Sequence, residues 1–174
     1  MTPDRATLER LFEGAPRFIA RLEAAGPFDD DDRFFEAARS IAHAMPEAEQ
    51  IELLDAHPRL GAPPGTVSVM SHKEQGYDRG TGTTVDVANE LVSNELERLN
   101  EAYEARFGFR YCVFVAGRSR EALLPDFAAT LADADTRTGD ADRVDRDTEL
   151  HRALDAVVDI GMDRHAKLSA EVAR

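Results

Sequence analysis

The chain has 174 residues, 43% of them hydrophobic, a single cysteine and a formal net charge of −13. That length is about one domain, enough to cover about 70% of the unfolded surface, and the apolar share is too high for a disordered chain. The charge argues against a nucleic-acid or anionic-membrane partner, the lone Cys112 excludes an internal disulfide or a multi-cysteine zinc site, and no apolar run nears the roughly 20 residues that span a bilayer.

The charged N-terminus, MTPDRATLERLFEG, lacks a signal-peptide core, so a cytoplasmic protein is expected. Only Lys73 and Lys167 are lysines among 21 basic residues, which leaves 19 arginines. An acidic, lysine-poor surface resembles the proteins of salt-loving archaea, where high salt screens self-repulsion. An acidic mesophilic protein from a GC-rich genome is the alternative.

In chain order, helical periodicity dominates. Residues 4–13 place Leu8, Leu11 and Phe12 on one face. Pro16 fits the first turn of a second helix bearing Phe18, Ile19 and Leu22, which Gly26-Pro27 breaks. Asp29 to Asp32 precede a helix carrying Phe34, Phe35, Ala38, Ile41, Ala42 and Met45; negative charge at a helix start needs no ligand to explain it. Pro46 starts a helix with Ile51, Leu53 and Leu54 that ends near His57-Pro58. Three prolines and two glycines make residues 58–70 a loop, followed by a helical turn over Ser71 to Gln75. A glycine-rich loop covers Gly76 to Thr84. The longest expected helix runs over 85–107, closed by Gly108. Tyr111 to Val115 has strand-like composition but no partner strand, so it reads as a buried extended segment or a helix start. Ser119 caps a helix through about Leu131, with Pro125 inside it. The aspartate-rich stretch 133–147 reads as solvated, and a last helix spans 146–171. No repeat or linker divides the chain. The expectation is an all-α single domain over 1–174, a compact bundle of about seven to nine helices.

Long loops in a compact helical domain are often functional, and here they flank Ser71-His72-Lys73-Glu74-Gln75. Taken alone, Ser71-x-x-Glu74 is a capping box, and His57-Pro58 is a helix end, because the residue before proline leaves the helix readily. Cys112 reads as a small buried hydrophobe. His43 reads as a satisfied structural residue, and His151 and His165 as exposed. No metal-ligand spacing and no phosphate loop occur, and Gly80-Thr81-Gly82-Thr83-Thr84 lacks the lysine and the strand a phosphate loop needs.

Three segments in order and spacing carry more than any one of them: Ala56-His57-Pro58-Arg59-Leu60-Gly61, then Ser71-x-x-Glu74-Gln75, then Leu99-Asn100-x-x-Tyr103-x-x-Arg106-Phe107-Gly108-Phe109. Over nearly the whole chain this resembles the 2-oxo-4-hydroxy-4-carboxy-5-ureidoimidazoline (OHCU) decarboxylases. The resemblance implies an all-α fold of that type, no cofactor, a homodimer, and formation of (S)-allantoin in urate breakdown. It implies His57 and Glu74 as catalytic, and Pro58, Ser71, Gln75, the segment Cys112, Val113, Phe114, Val115 and Ala116, and Arg164 as substrate-binding. In that reading His57 bonds the ring hydroxyl and moves a proton, Glu74 orients the imidazole through its other nitrogen and favours its protonated form, and Arg164 pairs with an anionic group. The sequence departs from the family's habits at Arg110, Tyr111 and Ala116, which usually read proline, phenylalanine and arginine, and at Gly76-Tyr77-Asp78-Arg79-Gly80. Arg118 is a candidate for the arginine missing at Ala116. Two other classes fit the composition. One is a non-enzymatic acidic helical interaction protein, which predicts exposed apolar stripes. The other is a cofactor-free enzyme for a related ureido or hydantoin compound.

Overall fold

A computed structural model describes residues 3–77, 87–135 and 140–173. These form eight α-helices: α1 (Arg5–Leu11), α2 (Pro16–Ala25), α3 (Asp31–Ala44), α4 (Glu47–Ala56), α5 (Val69–Glu74), α6 (Val87–Phe107), α7 (Arg120–Asp135) and α8 (Asp140–Val172), with a 3₁₀ turn at Pro64–Thr66. No strand occurs among the described residues, and no helix there is long and apolar enough to cross a membrane. The all-α expectation holds. Tyr111 to Val115 is irregular backbone leading into a tight turn, where Ala116 and Gly117 have φ of 51° and 75°. The expected glycine-rich loop beyond Tyr77 lies outside the described residues, as do 136–139.

Most boundaries follow from local chemistry. The Asp4 and Asp30 carboxylates accept from the Thr7 and Arg33 amides at the starts of α1 and α3. Pro16 opens α2 and Pro46 caps α4. Ser119 accepts from the Ala122 amide at 3.2 Å. Gly108, at φ 80°, ends α6 in the left-handed conformation that glycine enters without a Cβ clash. Two expectations fail. Ser68, not Ser71, caps α5, accepting from the Ser71 amide, so the capping-box reading of Ser71 falls. The last helix starts at Asp140 rather than near 146, and α7 runs to Asp135 rather than to about Leu131, so the stretch 133–147 is in part helical.

The chain divides into two compact units that interleave along the sequence. The first comprises Met1–His57, Cys112–Phe114 and His151–Arg174. Its core is aliphatic and phenylalanine-rich: Leu8, Leu11, Phe12, Phe18, Ile19, Leu22, Phe34, Leu53, Leu54, Leu154, Val157 and Val158 are buried. Phe12 meets Phe18 edge-on at 4.9 Å. The second comprises Pro58–Tyr111 and Val115–Leu150, with α6 packed on α7. Its core centres on Tyr103, whose ring lies 4.5–5.8 Å from those of Phe107, Phe109, Tyr111 and Phe127. The Tyr103 hydroxyl donates to Glu149 at 2.7 Å.

Gly161 shows how tightly α8 packs on the first core. A glycine inside a helix is about 1 kcal/mol less favourable than alanine, yet a Cβ at 161 would sit 2.6 Å from a Phe12 ring carbon. Phe12 is fully buried against Phe18 and cannot swing away. Gly161→Ala should therefore lower stability by about 1–3 kcal/mol despite its better helix propensity, as read by the urea midpoint; a midpoint at or above wild type would show that the contact is soft.

Candidate active site

Proline at 58 forces residue 57 out of the helical region, and His57 closes α4 with φ −75° and ψ 138°. Its amide bonds the Leu54 carbonyl at 3.1 Å. Its side chain is 5% exposed and turns back over the last turn, with Nδ1 3.2 Å from the Leu53 carbonyl oxygen. A carbonyl only accepts, so Nδ1 carries a proton and donates it. The neutral ring is thus the Nδ1–H tautomer, and Nε2 is the nitrogen left to gain or lose a proton. The imidazole does for Leu53 what a further helical turn would have done: it satisfies one of the last carbonyls of α4. The Leu53 carbonyl thus orients the imidazole through Nδ1.

On α5, Ser71 and Glu74 are three apart and share a face. Ser71 is buried and Glu74 half-buried. Gln75 caps the same helix and is 9% exposed. Both ends of its amide reach the loop after Pro58: Oε1 accepts from the Gly61 amide at 2.7 Å and Nε2 donates to the Arg59 carbonyl at 3.2 Å. The Tyr77 hydroxyl donates to the Ala62 carbonyl at 2.5 Å, and the Arg120 guanidinium lies over its ring at 4.4 Å. Burial raises the Tyr77 phenol above its ordinary pKa, against the lowering effect of Arg120.

Cys112 is buried, and Val113, Phe114 and Val115 are half-buried. The Cys112 carbonyl accepts from Arg152 Nη1 at 3.1 Å, a contact the sequence reading missed. The only signal was an arginine beside the apolar positions Leu150, Ala153 and Leu154. Arg118, considered as a substitute anion binder, donates to the Val115 carbonyl at 3.2 Å and to Asp126 at 2.9 Å.

Arg164 is tied to the end of α1. It is 1% exposed. Nη1 donates to the Arg10 and Leu11 carbonyls at 3.0 and 3.3 Å, and Nη2 to the Glu13 carboxylate at 2.7 Å. Those two carbonyls end α1, and Glu13 takes the left-handed φ of 52° in the turn before α2. The guanidinium is built into that corner through these three groups.

In the first unit a groove of about 510 Å³ lies between α3 and α8, lined by Phe35, Arg39, His43 and Met162 among others. It holds none of the sequence-selected site residues. Arg39 pairs with Asp155 and Asp159 at 2.6 and 2.7 Å, and His43 with Asp155 at 2.8 Å; these partners lower the Asp155 pKa against the raising effect of its burial. His43 is the satisfied structural residue expected. His151 is exposed as expected, whereas His165 is half-buried against Phe35. Among the described residues no group of three or more His, Cys, Asp or Glu is placed to hold a metal. The large apolar side chains exposed there are Val69, Leu91, Met162 and Val172, spread over three helices rather than forming the stripes of a helical adaptor.

The sequence profile of the OHCU decarboxylase family matches residues 3–166, and the chain belongs to that family. It is 29% identical over 168 residues to the uric acid degradation bifunctional protein PucL of Bacillus subtilis, covering 95% of this chain and 30% of that protein. It is 28% identical over 113 residues to the 2-oxo-4-hydroxy-4-carboxy-5-ureidoimidazoline decarboxylase of Haloferax volcanii, covering 65% of this chain and 64% of that one. The chain thus spans under a third of the bifunctional relative. A crystal structure of OHCU decarboxylase in the presence of (S)-allantoin shares the fold, with a TM-score of 0.64 at 20% identity over 93% of this chain and 96% of that one.

Because Arg164 is buried and the Glu13 side chain is only 11% exposed, removing Arg164 leaves the Glu13 charge largely shielded from water without its partner. Arg164→Ala should cost about 3–5 kcal/mol, read by urea unfolding. Loss of activity with unchanged stability would instead confine Arg164 to a role at the substrate.

Proposed function

We propose that this chain decarboxylates 2-oxo-4-hydroxy-4-carboxy-5-ureidoimidazoline to (S)-allantoin, as a cofactor-free cytoplasmic homodimer with no nucleic-acid or membrane partner. The observation that carries the reading is the family match across residues 3–166. The names of two relatives support it, uric acid degradation in the Bacillus protein and OHCU decarboxylase in the Haloferax one.

The substrate supplies its own electron sink. The bond between the carboxylate and the hydroxyl-bearing carbon breaks, and carbon dioxide leaves. The electron pair becomes a carbon–carbon double bond as the adjoining C=N bond passes its electrons to nitrogen, which takes a proton. The resulting enol loses its hydroxyl proton to become a carbonyl, and the ureido-bearing carbon takes a proton on one face. One proton is consumed overall. The protein has to orient the anion, stabilise the moving charge and deliver a proton to a single face.

His57 suits the proton steps because its two nitrogens have separate duties. Nδ1 is committed to the Leu53 carbonyl, so Nε2 both accepts the hydroxyl proton and returns it, with the ring held in place. Glu74 is assigned the second catalytic role, stabilising the ring's positive charge while it holds the extra proton. Pro58, Ser71 and the segment Cys112 to Ala116 are assigned to the substrate. Gln75 keeps a binding role through the loop it holds, and Arg164 is assigned to an anionic group of the substrate as well as to the first unit's frame.

The test follows freshly generated substrate by the optical activity of the allantoin formed, since uncatalysed decarboxylation gives racemate. Wild type should give one enantiomer. His57→Ala should lower kcat by about 10²–10⁴ and stability by only about 1 kcal/mol, for the Leu53 carbonyl left unpaired. A folded His57→Ala variant with near-normal turnover removes His57 from the mechanism, and racemic product from wild type overturns the reading.

A further inference from the structure

Several arginines of the second unit hold a protein oxygen. Arg59 makes a two-pronged pair with Glu104, Nε to Oε1 at 2.7 Å and Nη2 to Oε2 at 2.5 Å. Arg98 pairs with Glu95, Arg118 with Asp126, and Arg146 donates to the Phe107 carbonyl. Arg120 differs. It is half-buried, and its partner is the Tyr77 side chain, with the guanidinium carbon 4.4 Å from the ring centroid. Among the described residues no carboxylate pairs with it.

An aromatic face attracts a guanidinium through the ring quadrupole. It leaves most of the five N–H donors of the planar fork without an acceptor. A fork of that shape matches a carboxylate. Two anchors fix where this one stands. The Tyr77 hydroxyl donates to the Ala62 carbonyl at 2.5 Å, which ties the ring to the loop after Pro58. Arg120 is the first residue of α7, and the turn leading into it is closed by the Arg118 amide on the Val115 carbonyl at 3.0 Å. Tyr77 follows shortly after Gln75, and Arg120 shortly after Ala116. Their contact therefore joins the ends of two stretches of the second unit, Ser71 to Gln75 and Val115 to Ala116, that both hold residues assigned to the substrate.

We propose that Arg120 is a substrate-binding residue: its guanidinium takes the substrate's carboxylate, held ready by the ring of Tyr77. This rests on the assignment of Ser71 and residues 115 and 116 to the substrate above. A carboxylate has about four lone-pair sites, so it accepts more than one donor group. The reaction sets the sign of the effect. Charge leaves the carboxylate as carbon dioxide forms, so a cation paired with it favours bound substrate over the transition state. Arg120 thus serves capture rather than the chemical step, and its loss shows in KM.

The experiment compares Arg120→Gln and Arg120→Lys with Arg98→Gln, which removes the same charge from an exposed position of α6. Each is assayed on freshly generated substrate, per folded molecule, for kcat, KM and the enantiomeric excess of allantoin. Arg120→Gln should raise KM by about 10- to 100-fold, the worth of a hydrogen bond to a charged group, with kcat no lower than wild type and enantiomeric excess unchanged. Arg120→Lys keeps the charge without the fork. It should raise KM by a smaller factor, and it decides the matter if Arg120→Gln does not fold. Arg98→Gln should leave KM within about twofold of wild type, since exposed charges are screened. A wild-type KM in folded Arg120→Gln would overturn the proposal. So would an equal rise in KM in Arg98→Gln, which would mark an effect of net charge, or a fall in kcat and enantiomeric excess at unchanged KM. If His57→Ala is defective and the Arg120 variants are normal, only this proposal fails; wild type without stereoselective turnover sinks it together with the reading beneath it.

Discussion

A helix that ends must do something with its last carbonyls, and this protein's candidate chemistry grows out of one solution to that demand. Proline at 58 stops α4, and the Leu53 carbonyl accepts a hydrogen bond from His57 Nδ1. The bond fixes the imidazole's direction and its tautomer together. It does so with a backbone group, which cannot change its hydrogen-bonding sense as a carboxylate can. The nitrogen proposed to face the substrate is thereby decided before any substrate arrives, which is what preorganisation requires.

The same device recurs at other helix ends. Arg164 closes α1 through the Arg10 and Leu11 carbonyls, Gln50 closes α3 through those of Ala42 and His43, and Arg146 closes α6 through that of Phe107. Unpaired carbonyls at a helix C-terminus concentrate negative partial charge. Two of the three donors are arginines, which suit that charge as well as the geometry. The buried polar side chains of this protein serve its backbone first. Arg164 illustrates this: an arginine late in the chain reads naturally as an anion binder, and it also holds α1 and the adjoining turn.

Sequence punctuation explains why the helices were legible. Asp30, Pro16, Pro46, Gly108 and Ser119 each act on their own immediate neighbours, so their effect can be read within a few residues. Ser71 was misread because Ser68, three residues earlier, offers the same hydroxyl one turn sooner, and spacing alone does not rank them. The fates of the site's polar residues were less legible for a different reason. Arg164 meets residues more than 150 positions away, and Asn100 meets Leu60 across 40; neither pairing leaves a local signal. The attachment of the Gln75 amide to Arg59 and Gly61 depends on how α5 lies beside that loop, which leaves no local signal either.

The account turns on which nitrogen of His57 holds the proton in the neutral ring. Nitrogen-15 NMR of histidine-labelled protein, with His57 assigned by substitution, reads this directly. The account predicts a protonated Nδ1 and a bare Nε2 at pH values where the ring is uncharged. A neutral ring protonated at Nε2 would mean that the Leu53 carbonyl does not hold the imidazole, and the division of labour between the two nitrogens would be wrong.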